Sequence, residues 1–369
     1  MNRTRRFRLR MAGFSDGEIL SFGLDACPDE RVMEYVSQEL MVRVLRPRLN
    51  GLQRHVLEDK WAAQAFLASI GVPVPKLYGV YHPSLGMAAD GGPLTEAGHL
   101  AALLQDEMPC RLFLKPRGGR QGLDIRVAAV DRGADGAPVA TTAEGTAPLP
   151  AFLAALPMED FSHYDHSYQG WLVQRYIDQH PAVAAFNPGT VNTVRVVTYR
   201  GPSGDVALHG AIFRTGRIGA LGDNCSQGGI AVGVDLATGA LQTAYTSLVG
   251  EAPERVEAHP DSGMAFAGVV LPDWPRSMEI CRRAARAFSG VRWAGWDVAM
   301  TPDGPVMVEG NSDWSIAQQL VNGAYLTPER RAEMAAGVAL PDRLPGLPRA
   351  AARLARRELR RVRRWALHG

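Results

Sequence analysis

Two carboxylates and an amide lie close together near the end of the sequence, in a pattern that could bind a divalent cation. Asp297 lies in the apolar run WAGWDVAM, and Glu309 and Asn311 lie in PVMVEGN, with a Pro-Asp-Gly turn at residues 302–304 between them. This turn predicts a β-hairpin, in which residues two apart on one strand share a face. Carboxylate and amide oxygens suit Mg²⁺, so the sequence predicts a metal site. A hairpin with exposed acidic residues is the alternative.

A lysine at the end of an apolar segment precedes a glycine-rich turn. Lys115 lies at the end of the apolar run RLFLKP, immediately before Pro116, and the following RGGRQG contains Gly118 and Gly119. Glycines let the backbone approach phosphates closely, and a lysine adds a point charge. These residues predict a phosphate-binding turn, although glycine turns alone are weak signals. The motifs of P-loop NTPases, protein kinases and Rossmann domains are missing from the sequence, which argues against those classes.

Two arginines stand in or at the end of apolar runs that predict strands. Arg195 interrupts TVNTVRVVTY, and Arg214 closes GAIFRTG. A buried guanidinium requires an anionic partner, and either phosphate oxygens or a buried aspartate would serve. The polar turn NCSQGG follows and places Asn224 where it could meet a phosphate.

Four further residues are ambiguous when each is taken alone. Lys60 stands at the start of a predicted helix, where most lysines are surface residues. Gln174, Tyr176 and Ile177 belong to the apolar run WLVQRYI, which is followed by a break. Such a strand end would suit an adenine-binding hinge, and an ordinary core strand is the alternative.

The elements that would position these residues indicate an α+β protein. The segment EDKWAAQAFLASIGVPVPKLYGVY predicts a helix that ends at Gly71 and leads into a strand. Three β-branched runs between residues 190 and 240 predict a mainly antiparallel sheet, and SMEICRRAARAFSG predicts a helix. Residues 131–150 are rich in Gly, Ala, Thr and Pro and predict an exposed loop.

Composition limits the classes of function. The chain has 369 residues, 46% apolar and 21% charged, which is typical of a globular protein. Its net charge of +2 gives no strong field toward nucleic acid. Four scattered cysteines without a C-x-x-C pair predict a reduced, cytosolic protein without structural zinc. No apolar run approaches the roughly 20 residues that a membrane span needs.

The two ends of the chain differ from its middle. Residues 1–57 predict a mainly helical segment, with a helix stop at Arg46 and Pro47. Residues 326–369 predict a Pro-rich linker and a basic C-terminal helix. This helix could rest on anionic lipid or an acidic partner, or it could be solvated.

Taken in order, the motifs over about residues 58–325 resemble the ATP-grasp superfamily. The runs NPGTVNTVRVVT, FRTGRIGALGDNCSQGG and WDVAMTPDGPVMVEGNSDWS resemble its sugar-transfer-associated branch. The resemblance implies two α+β lobes that clasp ATP, with an ATP lobe at about residues 100–178 and a metal-binding lobe at about 179–325. The helical segment would precede these lobes, and the basic helix would follow them.

The resemblance also implies roles for individual residues. The ATP phosphates would meet Lys60, Lys115, Gly118 and Gly119; the adenine hinge would comprise Gln174, Tyr176 and Ile177; Mg²⁺ or Mn²⁺ would be bound by Asp297, Glu309 and Asn311; and Arg195, Arg214 and Asn224 would stabilise the transferred phosphoryl group. Gln174 departs from the glutamate of many superfamily members, but backbone groups do much of the adenine recognition.

The function that the resemblance implies is an ADP-forming carboxylate–amine ligase in cell-surface polysaccharide or glycoconjugate biosynthesis. Its partners would be a small carboxylate and an amine, either of which could be sugar-linked, and no nucleic acid. A cytoplasmic location is expected, with the basic helix as a candidate contact to the inner membrane face. Two alternatives stay open: an ATP-dependent kinase of a sugar or alcohol, and a non-catalytic nucleotide-binding partner of a glycosyltransferase complex.

Overall fold

The computed structural model describes residues 3–119, 124–158, 168–220, 222–223, 228–246 and 252–344. Within these residues the chain forms two seven-stranded sheets with helices packed against them, and neighbouring strands in both sheets are antiparallel. The predicted α+β class is confirmed. None of the described helices has the length and apolarity to cross a membrane.

Short helices form the N-terminal segment, as predicted. They are α1 (Arg3–Met11), α2 (Asp16–Ser21), α3 (Asp29–Val32), α4 (Gln38–Leu40), a π-helical turn (Met41–Leu45), α5 (Arg46–Leu49) and α6 (Arg54–Glu58). The predicted stop at Arg46 and Pro47 is wrong. The N–H of Arg46 donates to the carbonyl of Met41 across the wider π turn, and Pro47, which has no N–H to donate, follows at the start of α5. The helix therefore continues past the proline.

Three arginines of α1 form ion pairs inside the N-terminal segment. Arg6 and Arg10 both bond to Asp16, at 2.8 Å and 2.5 Å, and Arg8 bonds to Asp29 at 2.8 Å. These three arginines therefore pair with acidic residues of the same segment.

The first sheet follows helix α7 (Lys60–Ser69). Its elements are β1 (Leu77–Tyr81), β2 (Met87–Ala88), α8 (Ala97–Leu104), β3 (Cys110–Pro116), β4 (Arg126–Arg132), β5 (Pro138–Thr142), β6 (Gly145–Pro148), α9 (Leu149–Ala154) and β7 (Trp171–Arg175). The strand order is β2-β1-β7-β3-β4-β5-β6. Leucines of α8 and α9 cover one face of the sheet and form its core with β3 and β7. Strands β1 and β2 precede residue 100, where the predicted ATP lobe begins.

Residues 131–150 do not form the exposed loop that the sequence predicts. Most of them extend β4 or form the hairpin β5–β6, in which Thr142 stands opposite Gly145. Strand β5 pairs with β4 and so extends the sheet. The small and polar composition reflects a position at the sheet edge, where few side chains need to be buried.

The second sheet occupies the rest of the described chain. Its elements are α10 (Pro181–Ala184), β8 (Thr193–Arg200), β9 (Val206–Thr215), β10 (Ile230–Val234), β11 (Leu241–Thr246), β12 (Arg255–Val256), α11 (Trp274–Ala287), β13 (Trp293–Thr301), β14 (Gly304–Asn311), α12 (Gln318–Asn322) and α13 (Pro328–Met334). The strand order is β12-β11-β10-β9-β8-β13-β14. The predicted hairpin is β13–β14, and the predicted antiparallel sheet is present.

The core of this sheet lies under α11. The buried face of α11 presents Met278, Cys281 and Ala284, which belong to one apolar cluster with Val196 of β8 and Trp296 of β13. This packing fixes β8 and β13 side by side, and the opposite face of both strands carries the charged residues of the site.

Candidate active site

A cavity of about 360 Å³ is bounded by both sheets and by the N-terminal segment. Most residues that the sequence singles out line it: Lys60, Lys115, Gly119, Gln174, Tyr176, Ile177, Arg195, Arg214, Asp297, Glu309 and Asn311. Gly118 does not line the cavity, although its neighbour Gly119 does. Asn224 lies outside the described residues.

A row of charged side chains crosses three neighbouring strands of the second sheet. Asp297 on β13 stands opposite Arg195 on β8 and opposite Glu309 on β14. Residues that are directly opposite in a sheet project from the same face. The strand register therefore brings together one arginine and two carboxylates that are far apart in sequence.

Asp297 is held by two arginines. Nε and Nη2 of Arg195 donate to Oδ1 and Oδ2 of Asp297, both at 2.6 Å, and Nη2 of Arg214 donates to Oδ2 at 3.0 Å. Arg214 also lies 3.3 Å from Asp223. The aspartate partner that the sequence left as an alternative to phosphate is thus present for both arginines.

These charges set the protonation of the buried carboxylate. Burial by itself would raise the pKa of Asp297, but Arg195 and Arg214 outweigh it and lower the pKa to about 2. For Arg195 burial acts in the opposite direction and would lower the pKa, but the charge of Asp297 outweighs burial and raises this pKa. Asp297 and Arg195 are therefore both charged at neutral pH.

Glu309 and Asn311 are more open to the cavity than Asp297. The Glu309 side chain is 29% exposed, and its Oε1 lies 3.9 Å from Nη2 of Arg195. The Asn311 amide lies 3.5 Å from both Oδ2 of Asp297 and Oε1 of Glu309. One carboxylate and one amide oxygen can thus be offered to a cation, while both Asp297 oxygens are engaged by arginine.

These side chains fit a Mg²⁺ ion that takes some of its ligands from the protein and the others from a substrate. In the part of the chain that the structure describes, no group of three His, Cys, Asp or Glu side chains could hold a metal by itself. Mg²⁺ commonly takes one or two protein carboxylates and completes its shell with water and substrate phosphates. Glu309 and Asn311, with Asp297 beside them, meet that requirement.

Two lysines flank the glycine turn on the other side of the cavity. Lys115 is the penultimate residue of β3, and only 6% of its surface is exposed. This burial lowers its pKa, although the charges of Glu309 and Asp297 act in the opposite direction. Lys60 begins α7, and its Nζ donates to the carbonyl of Gly119. A compact positive charge therefore stands at each end of the turn.

An ion pair that the sequence analysis missed ties this turn to α7. Arg117 donates through Nε and Nη2 to the two oxygens of Asp59, at 2.8 Å and 2.5 Å. Asp59 also caps α7 by accepting from the N–H groups of Trp61 and Ala62. The signal for Asp59 was its position just before KWAAQ, which is typical of a helix cap. Its partner Arg117 had no local signal.

The end of β7 forms the apolar part of the cavity. Tyr176 is anchored by its N–H, which donates to the carbonyl of Arg111 at 2.8 Å, and the Arg111 guanidinium lies 4.0 Å from the centre of its ring. Ile177 and Phe113 line the cavity beside it. This apolar slot, lined by Phe113, Tyr176 and Ile177, can accept an aromatic ring system.

Gln174, which precedes Tyr176 and lies on β7, contacts helix α7. It is buried, and its Nε2 donates to Oε1 of Gln64 on α7 at 2.5 Å. Nε2 of Gln64 in turn donates to the carbonyl of Val308 on β14 at 2.8 Å. This chain of amides, the Gln64 bridge, connects β7 of the first sheet with β14 of the second.

The N-terminal segment also reaches the cavity, which the sequence did not indicate. Gln38, Val42 and Arg46 line it, and Nη1 of Arg46 donates to Oδ2 of Asp313 at 3.0 Å. Asp313 follows β14 by two residues. No local pattern marks these positions, because the contact joins residues 267 apart in sequence.

A family model described as sugar-transfer associated ATP-grasp matches residues 44–334. Similar solved structures include an N5-carboxyaminoimidazole synthase from Aspergillus clavatus in complex with ADP and 5-aminoimidazole ribonucleotide, with 12% identity, a TM-score of 0.40, and coverage of 80% of this chain and 55% of that chain.

Another is a biotin carboxylase complex from Campylobacter jejuni, with 14% identity, a TM-score of 0.44, and coverage of 77% of this chain and 50% of that chain. The chain thus spans about half the length of these structures. The sequence has no significant match among curated proteins.

Proposed function

The chain belongs to the sugar-transfer-associated ATP-grasp family, and from that membership we propose that it is an ADP-forming ligase that joins a carboxylate to an amine. The observation that carries the proposal is the single cavity into which Lys60, Lys115, Arg195, Arg214 and Glu309 all project. Four cationic side chains beside a carboxylate suit the phosphates of ATP and the cation that accompanies them.

In this proposal the first sheet binds the nucleotide. The adenine ring occupies the slot beside Tyr176 and Ile177, and Gln174 holds the strand end in place through its bond to Gln64. Lys60 and Lys115, with the glycines at residues 118–119, contact the phosphates.

The second sheet prepares the transfer of the γ-phosphoryl group. Asp297, Glu309 and Asn311 would hold Mg²⁺ or Mn²⁺, which when bound neutralises phosphate charge. Arg195 and Arg214, together with Asn224, orient the γ-phosphoryl group and stabilise the charge that develops on its oxygens. A carboxylate oxygen of the substrate attacks the γ-phosphorus, the bond to the ADP oxygen breaks, and an acylphosphate forms. An amine then displaces phosphate and leaves an amide.

The biological setting that we propose rests on the family alone. The carboxylate and amine are small molecules, with one of them sugar-linked, and the product belongs to cell-surface polysaccharide or glycoconjugate biosynthesis. The reaction takes place in the cytoplasm, and the basic residues 349–364 hold the enzyme at the inner membrane face.

Phosphorus NMR combined with mass spectrometry tests the reaction. The purified protein is incubated with Mg-ATP and a low-molecular-weight extract of the source cells, with the Glu309→Gln variant as control. We expect ADP, inorganic phosphate and a new species whose mass equals two metabolites less water. ADP with a phosphorylated metabolite and no condensed product would indicate a kinase instead of a ligase. Bound ATP without any turnover would indicate a non-catalytic nucleotide-binding partner.

A further inference from the structure

One wall of the cavity takes no part in the nucleotide assignment above. Gln38, Val42 and Arg46 of the N-terminal segment line it together with Ser312 and Asp313, which follow β14. Asn311, the last residue of β14, directly precedes Ser312, so this wall adjoins the end of the cavity where phosphoryl transfer is proposed. A second substrate must reach that end.

The wall carries an ion pair with unused bonding capacity. Nη1 of Arg46 and Oδ2 of Asp313 are 3.0 Å apart, and the two side chains are 21% and 28% exposed. Within the described part of the chain, the other N–H groups of the Arg46 guanidinium and Oδ1 of Asp313 have no protein partner. A guanidinium has five N–H donors, and a carboxylate can accept several hydrogen bonds. Both groups can therefore bind a ligand without separating.

Hydrogen bonds of Asn50 fix the backbone on both sides of the Arg46–Asp313 pair. Nδ2 of the buried Asn50 donates to the carbonyls of Trp293 and Ser312, both at 2.7 Å, and Oδ1 of Asn50 accepts the N–H of Trp293 at 3.0 Å. Asn50 also donates its backbone N–H to the carbonyl of Arg46. These bonds fix the residues beside Arg46 and Asp313 relative to one another, as a preorganised subsite requires.

The charges of the wall select the chemistry of the ligand. Glu58 also lines the cavity, bonded to His55 at 3.0 Å and to Ser312 at 3.4 Å. The wall thus combines one guanidinium with two carboxylates, whereas at the nucleotide end four cationic side chains outnumber three carboxylates, Asp223, Asp297 and Glu309. A ligand with one carboxylate and one ammonium complements this wall, and a second polyanion does not.

We propose that Arg46 and Asp313 bind the amine substrate and that this substrate is an amino acid, with its carboxylate on Arg46 and its ammonium on Asp313. The inference rests on the proposed ligase function and names the class of its second substrate. Arg46 and Asp313 are then the residues that determine which amines the enzyme accepts.

The chemical step balances as follows. The ammonium loses one proton to water, and the neutral amine attacks the acyl carbon of the acylphosphate. A carbon–nitrogen bond forms, and the bond between the acyl carbon and the phosphate oxygen breaks. The second amine proton leaves with the phosphate as hydrogen phosphate.

Ligand-observed NMR on the full-length protein with Mg²⁺ and a non-hydrolysable ATP analogue tests the subsite. The probes are the twenty L-amino acids and their D-enantiomers, each compared with the matching amine that lacks the carboxylate and the matching acid that lacks the amine. We expect at least one amino acid to bind about tenfold more tightly than both of its matched compounds. Failure of every amino acid to exceed its matched compounds would overturn the subsite.

Two variants separate direct binding from a structural role. Arg46→Met removes the carboxylate partner, so the variant should bind the amino acid no better than the matched amine. Asp313→Asn should bind it no better than the matched acid. Both variants break the same ion pair, so a purely structural role would weaken all probes alike and would refute the proposal. Arg43→Met is the control, because Arg43 lies on the same segment, is exposed and does not line the cavity.

Binding of the ATP analogue is recorded in the same samples. If the analogue binds and no amino acid does, the subsite is wrong and the proposed ligase stands. If an amino acid binds and the analogue does not, the proposed function fails while the subsite remains.

Discussion

Asp297 is a residue whose surroundings could be predicted only in part. The sequence places it on a hairpin beside Glu309 and Asn311, since an apolar pattern and a turn are local signals. Its two bonds to Arg195 depend on the pairing of β8 with β13, which joins residues 102 apart. A single apolar strand with an arginine in it predicts that an anion is present, but it does not specify whether the anion is protein or phosphate.

The role of Glu309 can be tested without disturbing the fold. We expect Glu309→Gln to lower ATP turnover at least a thousandfold, because the amide is a weaker ligand for a divalent cation and removes one negative charge from the site. The midpoint of thermal unfolding should change little, since the side chain is partly exposed. Steady-state ADP release and a thermal melt measure both quantities.

Glu257→Gln is the matched control for this change. The Glu257 side chain is 83% exposed and lies far along the chain from the hairpin, on the edge of the second sheet. Its turnover should equal that of the unmodified protein. Activity of the Glu309 variant within a few fold of this control would remove Glu309 from the proposed metal ligands.

His209 on β9 makes stability depend on pH. Its Nδ1 lies 2.5 Å from the hydroxyl of Tyr325 and its Nε2 lies 2.8 Å from Glu333. Burial, and then the nearby charge of Arg330, lower its pKa to about 4. An unfolded histidine has a pKa of about 6.5, so the unfolded chain binds more protons between these values. The free energy of unfolding should therefore fall by about 3 kcal/mol as pH decreases through this window.

Urea unfolding at pH 7, 6, 5 and 4 measures this effect, with His209→Gln as the comparison. Glutamine cannot be protonated, so the variant should be less stable at pH 7 and should lose less stability on acidification. Parallel pH dependences for the two proteins would exclude His209 as the source.

At the scale of whole elements, apolar periodicity and turn residues predicted the elements of the second sheet well. Strands β8, β9 and β10 and the hairpin β13–β14 carry β-branched runs closed by glycine, which are local signals. The hairpin β5–β6 was missed because its residues are small and polar. This hairpin forms because β5 pairs with β4, and composition does not reveal that partner. The π-helical turn was missed for a similar reason, since its residues also fit an α-helix.

Asn50 anchors the N-terminal segment to β13, and its loss should be severe. We expect Asn50→Leu to lower the free energy of unfolding by about 2–5 kcal/mol, because it leaves the N–H and C=O of Trp293 and the C=O of Ser312 without their bonds. Chemical denaturation measures the change. Gln105→Leu, at an exposed position, should stay within about 0.5 kcal/mol of the unmodified protein. An equally small change for Asn50→Leu would mean that water replaces these bonds.

At the scale of the molecule, the cavity collects its residues from both sheets, and this predicts how nucleotides stabilise the protein. Lys115 belongs to the first sheet and Arg195 to the second. In the proposed binding mode a triphosphate would contact both sheets, while AMP would contact mainly the slot beside Tyr176. A ligand at a hundredfold excess over its Kd adds about 2.7 kcal/mol of stability. Mg-ATP should therefore raise the unfolding temperature by several degrees, and AMP at the same concentration by much less.

Thermal melts with Mg-ATP, Mg-ADP and AMP provide the measurement. Lys115→Met should abolish most of the difference between ATP and AMP, because it removes a buried phosphate contact. Equal shifts for ATP and AMP in the unmodified protein would show that the phosphates do not bind across the two sheets.

The Gln64 bridge has a consequence for motion. Gln64 of α7 bonds to Gln174 of β7 and to the carbonyl of Val308 of β14, so these bonds link one strand of each sheet to α7. If these bonds persist, we expect any widening of the cavity to rotate the two sheets about an axis close to Gln64. Displacement grows with distance from such an axis, so the hairpin β5–β6 at the far edge of the first sheet would travel furthest, while the apolar slot would hardly move. Such a motion would open the cavity on the hairpin side and leave the apolar slot preformed.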